Sequence, residues 1–393
     1  MAKNSFPTWY NPRFMANPFF QPNEAMICGL AQGNLLADRS NDKVRTLVLA
    51  VDYLNSFTFP PTFVDPLHNG RVTRVLPLVL RDELVVPNDW VVGNNILSWS
   101  NPGFPLGQFV ARNISMFGGH LSVPNGWIAV RDAVEWCLKN VGNITDYALL
   151  RDCHRVTSRW NMHYWVAISE QNPYSLKIGE HPRKQSDTEF FVLTPEMVWH
   201  SRHNESGWLR PVYESEIEVD EAYALVKGVG FLVLWDIHCT DGTIGVNIDP
   251  LFMATVLDHA YRRHAEPDYF NKAVSRRTES FGIRPAYRFF GDISSRVGLS
   301  FRDLLDGGTT LIGRPYDQII VFGLADTHCV PAVLLDAVAQ LENCGREHLA
   351  KRIFYAKPFC RGIPGFEQRA SEQEVVLRDK GVRILTDPDE IFV

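Results

Sequence analysis

Apolar runs and apolar stripes alternate along much of the chain. TLVLAVD (46–52) is a continuous apolar run ending in a carboxylate, the pattern of a strand buried on both faces of a parallel sheet. HYWVAIS (163–169), FLVLW (231–235), DQIIVFG (317–323), KRIFYAK (351–357) and VRIL (382–385) predict five further strands. NGWIAVRDAVEWCLKN (125–140) carries a helical stripe at Val130, Val134, Cys137 and Leu138. DPLFMATVLDHAYRRH (249–264) opens on Asp249 and Pro250, a helix start. A helix is expected from about Cys329 to Leu341, and another over FEQRASEQEVVLRDKG (366–381), closed by glycine. Strands alternating with helices predict an α/β fold, a Rossmann-like, doubly wound, mostly parallel six-stranded sheet flanked by helices.

Outside this alternation the pattern breaks down. Residues 1–42 are rich in Pro, Asn and aromatics without periodicity and read as an N-terminal extension. The remainder, 43–393, reads as one domain carrying an insertion at about 58–117, irregular apart from a β-like piece at VTRVLPLVL (72–80). Residues 171–224 are polar, with Pro173, Pro182, Pro195 and Pro211, and read as a long connection.

Composition narrows the function classes. Of 393 residues 45% are apolar and 21% charged, an ordinary globular balance. A net charge of −6 without clustered Lys and Arg argues against a nucleic-acid footprint. No stretch reaches the ~18 apolar residues of a membrane span, and MAKNSFPTWYNPRFMANPFF does not have the layout of a signal peptide. The seven cysteines form no CxxC pair, which points to a reducing compartment, the cytoplasm.

In open parallel sheets ligands sit beyond the carboxyl ends of strands. That selects Asp52, Trp235 and the GLADTHCV loop (323–330). Cys329 falls at a helix N-terminus, where the dipole and amides favour a thiolate and can receive an oxyanion; taken alone, it reads first as a small buried hydrophobe. Asp52 reads as a base for the thiol or as a turn cap. Lys272 would steady both charges, or is a surface cation. His238 reads as a metal ligand or a hydrogen-bonded histidine.

Together these pieces resemble the isochorismatase-like cysteine hydrolases, and within them the nicotinamidases. A D-x-x-N-x-F pattern is present as Asp52, Asn55 and Phe57, and GGHLSVPNG (118–126) is similar to the segment leading into the family's first helix. W-x-x-H-C-x-x-G-T-x-G is present as Trp235, His238, Cys239, Gly242, Thr243 and Gly245. Lys272 precedes TESF (278–281), and the nucleophile loop matches at Gly323, Leu324, Ala325, Cys329 and Val330.

The resemblance implies an isochorismatase-like hydrolase fold with a catalytic Asp52, Lys272 and Cys329, oxyanion donors at the amides of Ala325 and Cys329, and a cis Leu324–Ala325 peptide. It implies substrate contacts from Phe57, Trp235 and His328, hence a flat heteroaromatic amide such as nicotinamide, hydrolysed to the acid and ammonia through a thioester. It also implies a divalent metal (zinc, iron or manganese) and assembly into homo-oligomers. Nicotinamidases carry D-x-H after the second strand and further histidines. With HYWVAIS as that strand, the ligand set reads as Glu170, Asn172, His181 and His238, and Glu170 and Asn172 depart from the family's Asp and His. Two alternatives stay open: hydrolysis of another small amide or ureide, and a non-catalytic binding protein on the same scaffold.

Overall fold

The computed structural model describes residues 36, 42–58, 121, 123–155, 157–183, 190–200, 206–212, 215–235, 238–241, 244–273, 281–283, 287–290, 293–306 and 314–392. The N-terminal extension and the 58–117 insertion lie outside the described residues, apart from positions 36, 42 and 58.

In chain order the strands are β1 (Thr46–Val51), β2 (Asp146–Asp152), β3 (Trp165–Ala167), β4 (Phe190–Leu193), β5 (Leu209–Pro211), β6 (Leu232–Trp235), β7 (Asp268–Lys272), β8 (Tyr287–Phe290), β9 (Ile293–Gly298), β10 (Gln318–Gly323), β11 (Ile353–Ala356) and β12 (Arg383–Leu385). Helices longer than one turn are α1 (Gly126–Lys139), α2 (Glu216–Val229), α3 (Pro250–Arg263), α4 (Phe301–Asp306), α5 (Cys329–Glu342) and α6 (Glu367–Asp379). The chain divides into two compact units, one of Met1–Asp152, Ile244–Lys272 and Ser280–Val393, the other of Cys153–Thr243 and Ala273–Glu279.

The first unit is built on one sheet in the order β12-β11-β10-β1-β2-β7-β8-β9. Its first six strands are mutually parallel, and β8 and β9 extend it as antiparallel partners. β1 is buried at all six positions because it is central and covered on both faces. From β1 the chain moves outward through β2 to β7; from β10 it moves the other way through β11 to β12. Right-handed crossovers running in opposite directions put the connecting helices on opposite faces. Accordingly α1 packs with α3, and α5 with α4 and α6. β1 and β10 are therefore the strands at which the winding reverses.

Two predicted sheet strands are corrected by the structure. HYWVAIS is strand only over β3, which pairs antiparallel with β5, and FLVLW supplies β6, which pairs antiparallel with β4. Both belong to the second unit, with its own core of Trp165, Phe191, Trp208, Leu209, Leu232 and Leu234. The remaining parallel strands of the large sheet are β2 and β7, DYALLRD and DYFNK. Their charged ends hid them, yet Asp146 accepts a hydrogen bond from Tyr316 Oη (2.9 Å), and Asp152 pairs in register with Lys272. An apolar run reports burial; it does not say which neighbour completes the ladder.

In the second unit Ser215 Oγ caps α2 by accepting from Glu218 N (3.1 Å). Buried Arg159 pairs with Glu218 (3.1 Å) and Glu221 (2.6 Å), so its charge is compensated within the unit. Among the described residues no helix is long and apolar enough to cross a membrane.

Candidate active site

Three side chains from the carboxyl ends of three strands meet inside the first unit. Asp52 directly follows β1 in the left-handed region (φ +53°), which aspartate tolerates better than most residues. Lys272 ends β7. Cys329 begins α5, six residues beyond the end of β10. Lys272 Nζ lies 3.0 Å from Asp52 Oδ2, 3.4 Å from Cys329 Sγ and 3.4 Å from Asp152 Oδ1. Asp52 Oδ1 accepts from the Asp152 amide at 2.7 Å. All four side chains are buried.

Burial dominates the electrostatics of this group. It raises the Asp52 carboxyl to about 6, although Lys272 pulls the other way and the neighbouring Asp152 adds to the rise. Burial pushes the Cys329 thiol well above its ordinary value; Lys272 lowers it, and the two carboxylates raise it further. A resting thiol beside a carboxylate of raised basicity is an arrangement for moving one proton between them.

The loop leading into Cys329 is held at several points. At Gly323 (φ +144°) a Cβ would lie 1.8 Å from Val51 O, so the approach that lets Leu324 N donate to Val51 O (2.9 Å) requires glycine. The Leu324–Ala325 peptide is cis. His328 N and Val330 N both donate to Ala325 O, so the chain turns tightly into α5 with Cys329 as its first residue. Residues 360–363 run beside this loop: Leu324 bridges Arg361, and Asp326 N donates to Arg361 O. His328 is buried against the rings of Phe366 (4.5 Å) and Phe281 (5.6 Å). Its imidazole is lowered to about 4 by burial, with the charge of Arg369 adding to the effect, so it is neutral at pH 7. Phe57 lies in the single helical turn Asn55–Thr58 that follows β1, and is buried.

The second unit holds the other predicted site residues. Trp235 is buried at the end of β6, its amide donating to Trp160 O and its ring edge-on to Phe190. Asn172 pins a turn with both ends of its amide: Oδ1 accepts from Tyr174 N and Leu176 N, and Nδ2 donates to Ser169 O and Leu176 O. Glu170 is exposed beside it. His181 Nδ1 is 2.8 Å from Trp165 O, with its ring beside His163. His238 instead packs against His154, ring centroids 4.6 Å apart and both buried. Residues 153–155 bring His154 there by lying along 239–241: His154 N donates to Cys239 O, and Asp241 N donates to His154 O, each at 2.9 Å.

His154 escaped sequence reasoning because β2 did. Once β2 is seen to end at Asp152, the D-x-H after the large sheet's second strand is Asp152-Cys153-His154. Glu170 and Asn172 follow a strand that is not in that sheet. The available signal was the short apolar run YALL (147–150), separated from D-C-H by Arg151 alone.

No protein-family model matches the chain, and no curated protein matches it. Among solved structures it is similar to a nicotinamidase/pyrazinamidase of Acinetobacter baumanii, with 14% identity over 89% of this chain and 99% of that one and a TM-score of 0.41. It is similar also to the yeast nicotinamidase, with 12% identity over 87% of this chain and 100% of that one and a TM-score of 0.41. A third similar structure is the pyrazinamidase of Pyrococcus horikoshii in complex with zinc, with 12% identity over 87% of this chain and 99% of that one and a TM-score of 0.36.

Proposed function

We propose that the protein is a cysteine-dependent amidohydrolase that cleaves a small, flat amide, nicotinamide being the leading candidate, to its acid and ammonia. The observation that carries this reading is the buried Asp52–Lys272–Cys329 cluster, with the cysteine at the N-terminus of α5. Burying two carboxylates, an ammonium and a thiol costs stability, and such groups cluster where function requires them.

In the proposed cycle Asp52 takes the Cys329 proton as sulfur bonds to the amide carbon. The amides of Ala325 and Cys329 receive the oxyanion, and Lys272 compensates the charge that moves between sulfur and carboxylate. Collapse breaks the C–N bond, and Asp52 returns its proton to the leaving nitrogen, releasing ammonia. Water, deprotonated by Asp52, then attacks the thioester; the acid leaves and Cys329 recovers its proton. Phe57 and His328, both in the first unit, are proposed to bind the substrate.

A metal is part of the same proposal. His154 and His238, both buried in the second unit, offer two imidazoles, and the buried carboxylate of Asp152 precedes His154 in the chain by two residues. That donor set suits zinc, iron or manganese and leaves coordination positions for other ligands. When bound, a divalent ion there supplies a Lewis-acidic centre that can orient a ring nitrogen. Glu170, Asn172 and His181 are left with the local bonds described above.

The test is ammonia release from nicotinamide, pyrazinamide, ureides and aliphatic amides, comparing wild type with Cys329→Ala. Turnover of at least one amide by wild type and none by the variant is expected. Wild-type turnover by Cys329→Ala would remove the cysteine from the mechanism. Failure of wild type on the whole panel would favour a binding protein on this scaffold.

A further inference from the structure

We infer that Thr327 is a positioning residue that holds His328, the residue directly before Cys329, as its neutral Nε2–H tautomer, so that the second ring nitrogen is a hydrogen-bond donor. The role toward substrate rests on the amidohydrolase reading; the tautomer does not.

Thr327 is buried, and among the described residues its hydroxyl oxygen has two hydrogen-bond partners. Ile363 N lies 3.0 Å away and His328 Nδ1 2.8 Å away. A backbone N–H can only donate, so Ile363 occupies one lone pair of the hydroxyl oxygen. The hydroxyl proton must then go to Nδ1. Were Nδ1 protonated, it would donate to the second lone pair, and the buried O–H would be left without an acceptor among the described residues, which buried hydroxyls avoid. With Nδ1 accepting, the ring proton sits on Nε2, as a neutral imidazole carries one.

The neighbouring loop fixes the threonine itself. A Cβ at Gly362 would lie 2.6 Å from Thr327 Cγ2, so residues 362–363 press directly on this side chain. A β-branched residue clamped at its methyl and hydrogen-bonded at its hydroxyl has one χ1 setting. Phe366 and Phe281 then limit how the imidazole can tilt. Proton position is thus set from the 360–366 side, and ring orientation by Phe366 together with Phe281.

The consequence is a preference for substrates that bring an acceptor, such as a carbonyl oxygen or a pyridine-type nitrogen, to His328. A substrate N–H at that position would meet another N–H.

Ring ¹⁵N NMR of uniformly labelled full-length protein, with the His328 signals assigned by their loss in His328→Gln, tests this. Wild type is expected to show a proton on Nε2 and an Nδ1 resonance shifted as a hydrogen-bond acceptor. Thr327→Val moves the Nδ1 resonance to its unbonded position, and Thr327→Ser restores it. With nicotinamide as substrate, KM rises about tenfold in Thr327→Val and recovers in Thr327→Ser. A proton on Nδ1 in wild type, or an Nδ1 resonance identical in wild type and Thr327→Val, would overturn the assignment. The NMR reads the proton with or without turnover, so an inactive wild type removes the amidohydrolase reading and leaves the tautomer to be judged by its own spectrum.

Discussion

Lys272 Nζ and Asp52 Oδ2 lie 3.0 Å apart, with neither side chain exposed to solvent, although 220 residues separate them in the chain. The ammonium is the only cation among the described side chains that contacts Asp52, Asp152 and Cys329 together. Lys272→Met should therefore leave two buried carboxylates uncompensated and cost about 3–5 kcal/mol. Urea denaturation of the variant measures it, and a loss below about 1 kcal/mol would mean that the carboxylates have taken up protons instead.

The raised Asp52 carboxyl predicts two opposite pH effects. Its folded value, about 6, exceeds the ordinary 3.8, so between these values the folded state binds the proton more tightly than the unfolded chain. Its contribution to stability is then full below 3.8 and is lost as pH rises through about 6. On the amidohydrolase reading activity runs the other way, because Asp52 as the base must be deprotonated: kcat/KM should rise with pH to a plateau above about 6. His328, lowered to about 4, adds no second limb between pH 5 and 8. A pH–rate profile together with Tm against pH in wild type and Asp52→Asn checks both, since the variant should show neither trend.

Metal content separates the two donor sets. His154→Ala and His238→Ala should each lower bound zinc, iron or manganese at least tenfold, by elemental analysis after dialysis against the metal. Glu170→Gln should leave it unchanged, because that side chain is exposed at a bend. Loss of metal in Glu170→Gln with retention in His154→Ala would restore the ligand set read from the sequence.

Gly323→Ala tests how the loop leading into Cys329 is held. The new methyl would stand 1.8 Å from Val51 O, against backbone that cannot swing aside as a side chain can. β1 and β10 would have to part at their carboxyl ends, where Asp52 follows β1 and the loop to Cys329 leaves β10. The expected result is a fall in Tm of several degrees and loss of activity together. A folded variant with normal activity would show that the loop can shift by more than an ångström without consequence.

For the central and outer strands on one side of the sheet, the hydrophobic pattern sufficed. β1, β10, β11 and β12 follow apolar runs, and α1, α3, α5 and α6 begin and end within a few residues of their predicted limits, because a buried strand or an amphipathic helix writes its environment into its own residues. Asp52 and Cys329 were legible for the same reason, as polar interruptions where such runs stop. β2 and β7 were not. Their buried charges are tolerable only because Asp52, Asp152, Lys272, Asp146 and Tyr316 compensate one another from strands far apart in the chain. The pairing of His154 with His238 stayed hidden likewise, since it depends on residues 153–155 lying along 239–241. Sequence alone thus determined the α/β alternation and the places of Asp52 and Cys329 where apolar runs stop. Tertiary structure decided which strands complete the sheet and which histidine stands beside His238, because a charge in the interior is explained only by partners that folding brings to it.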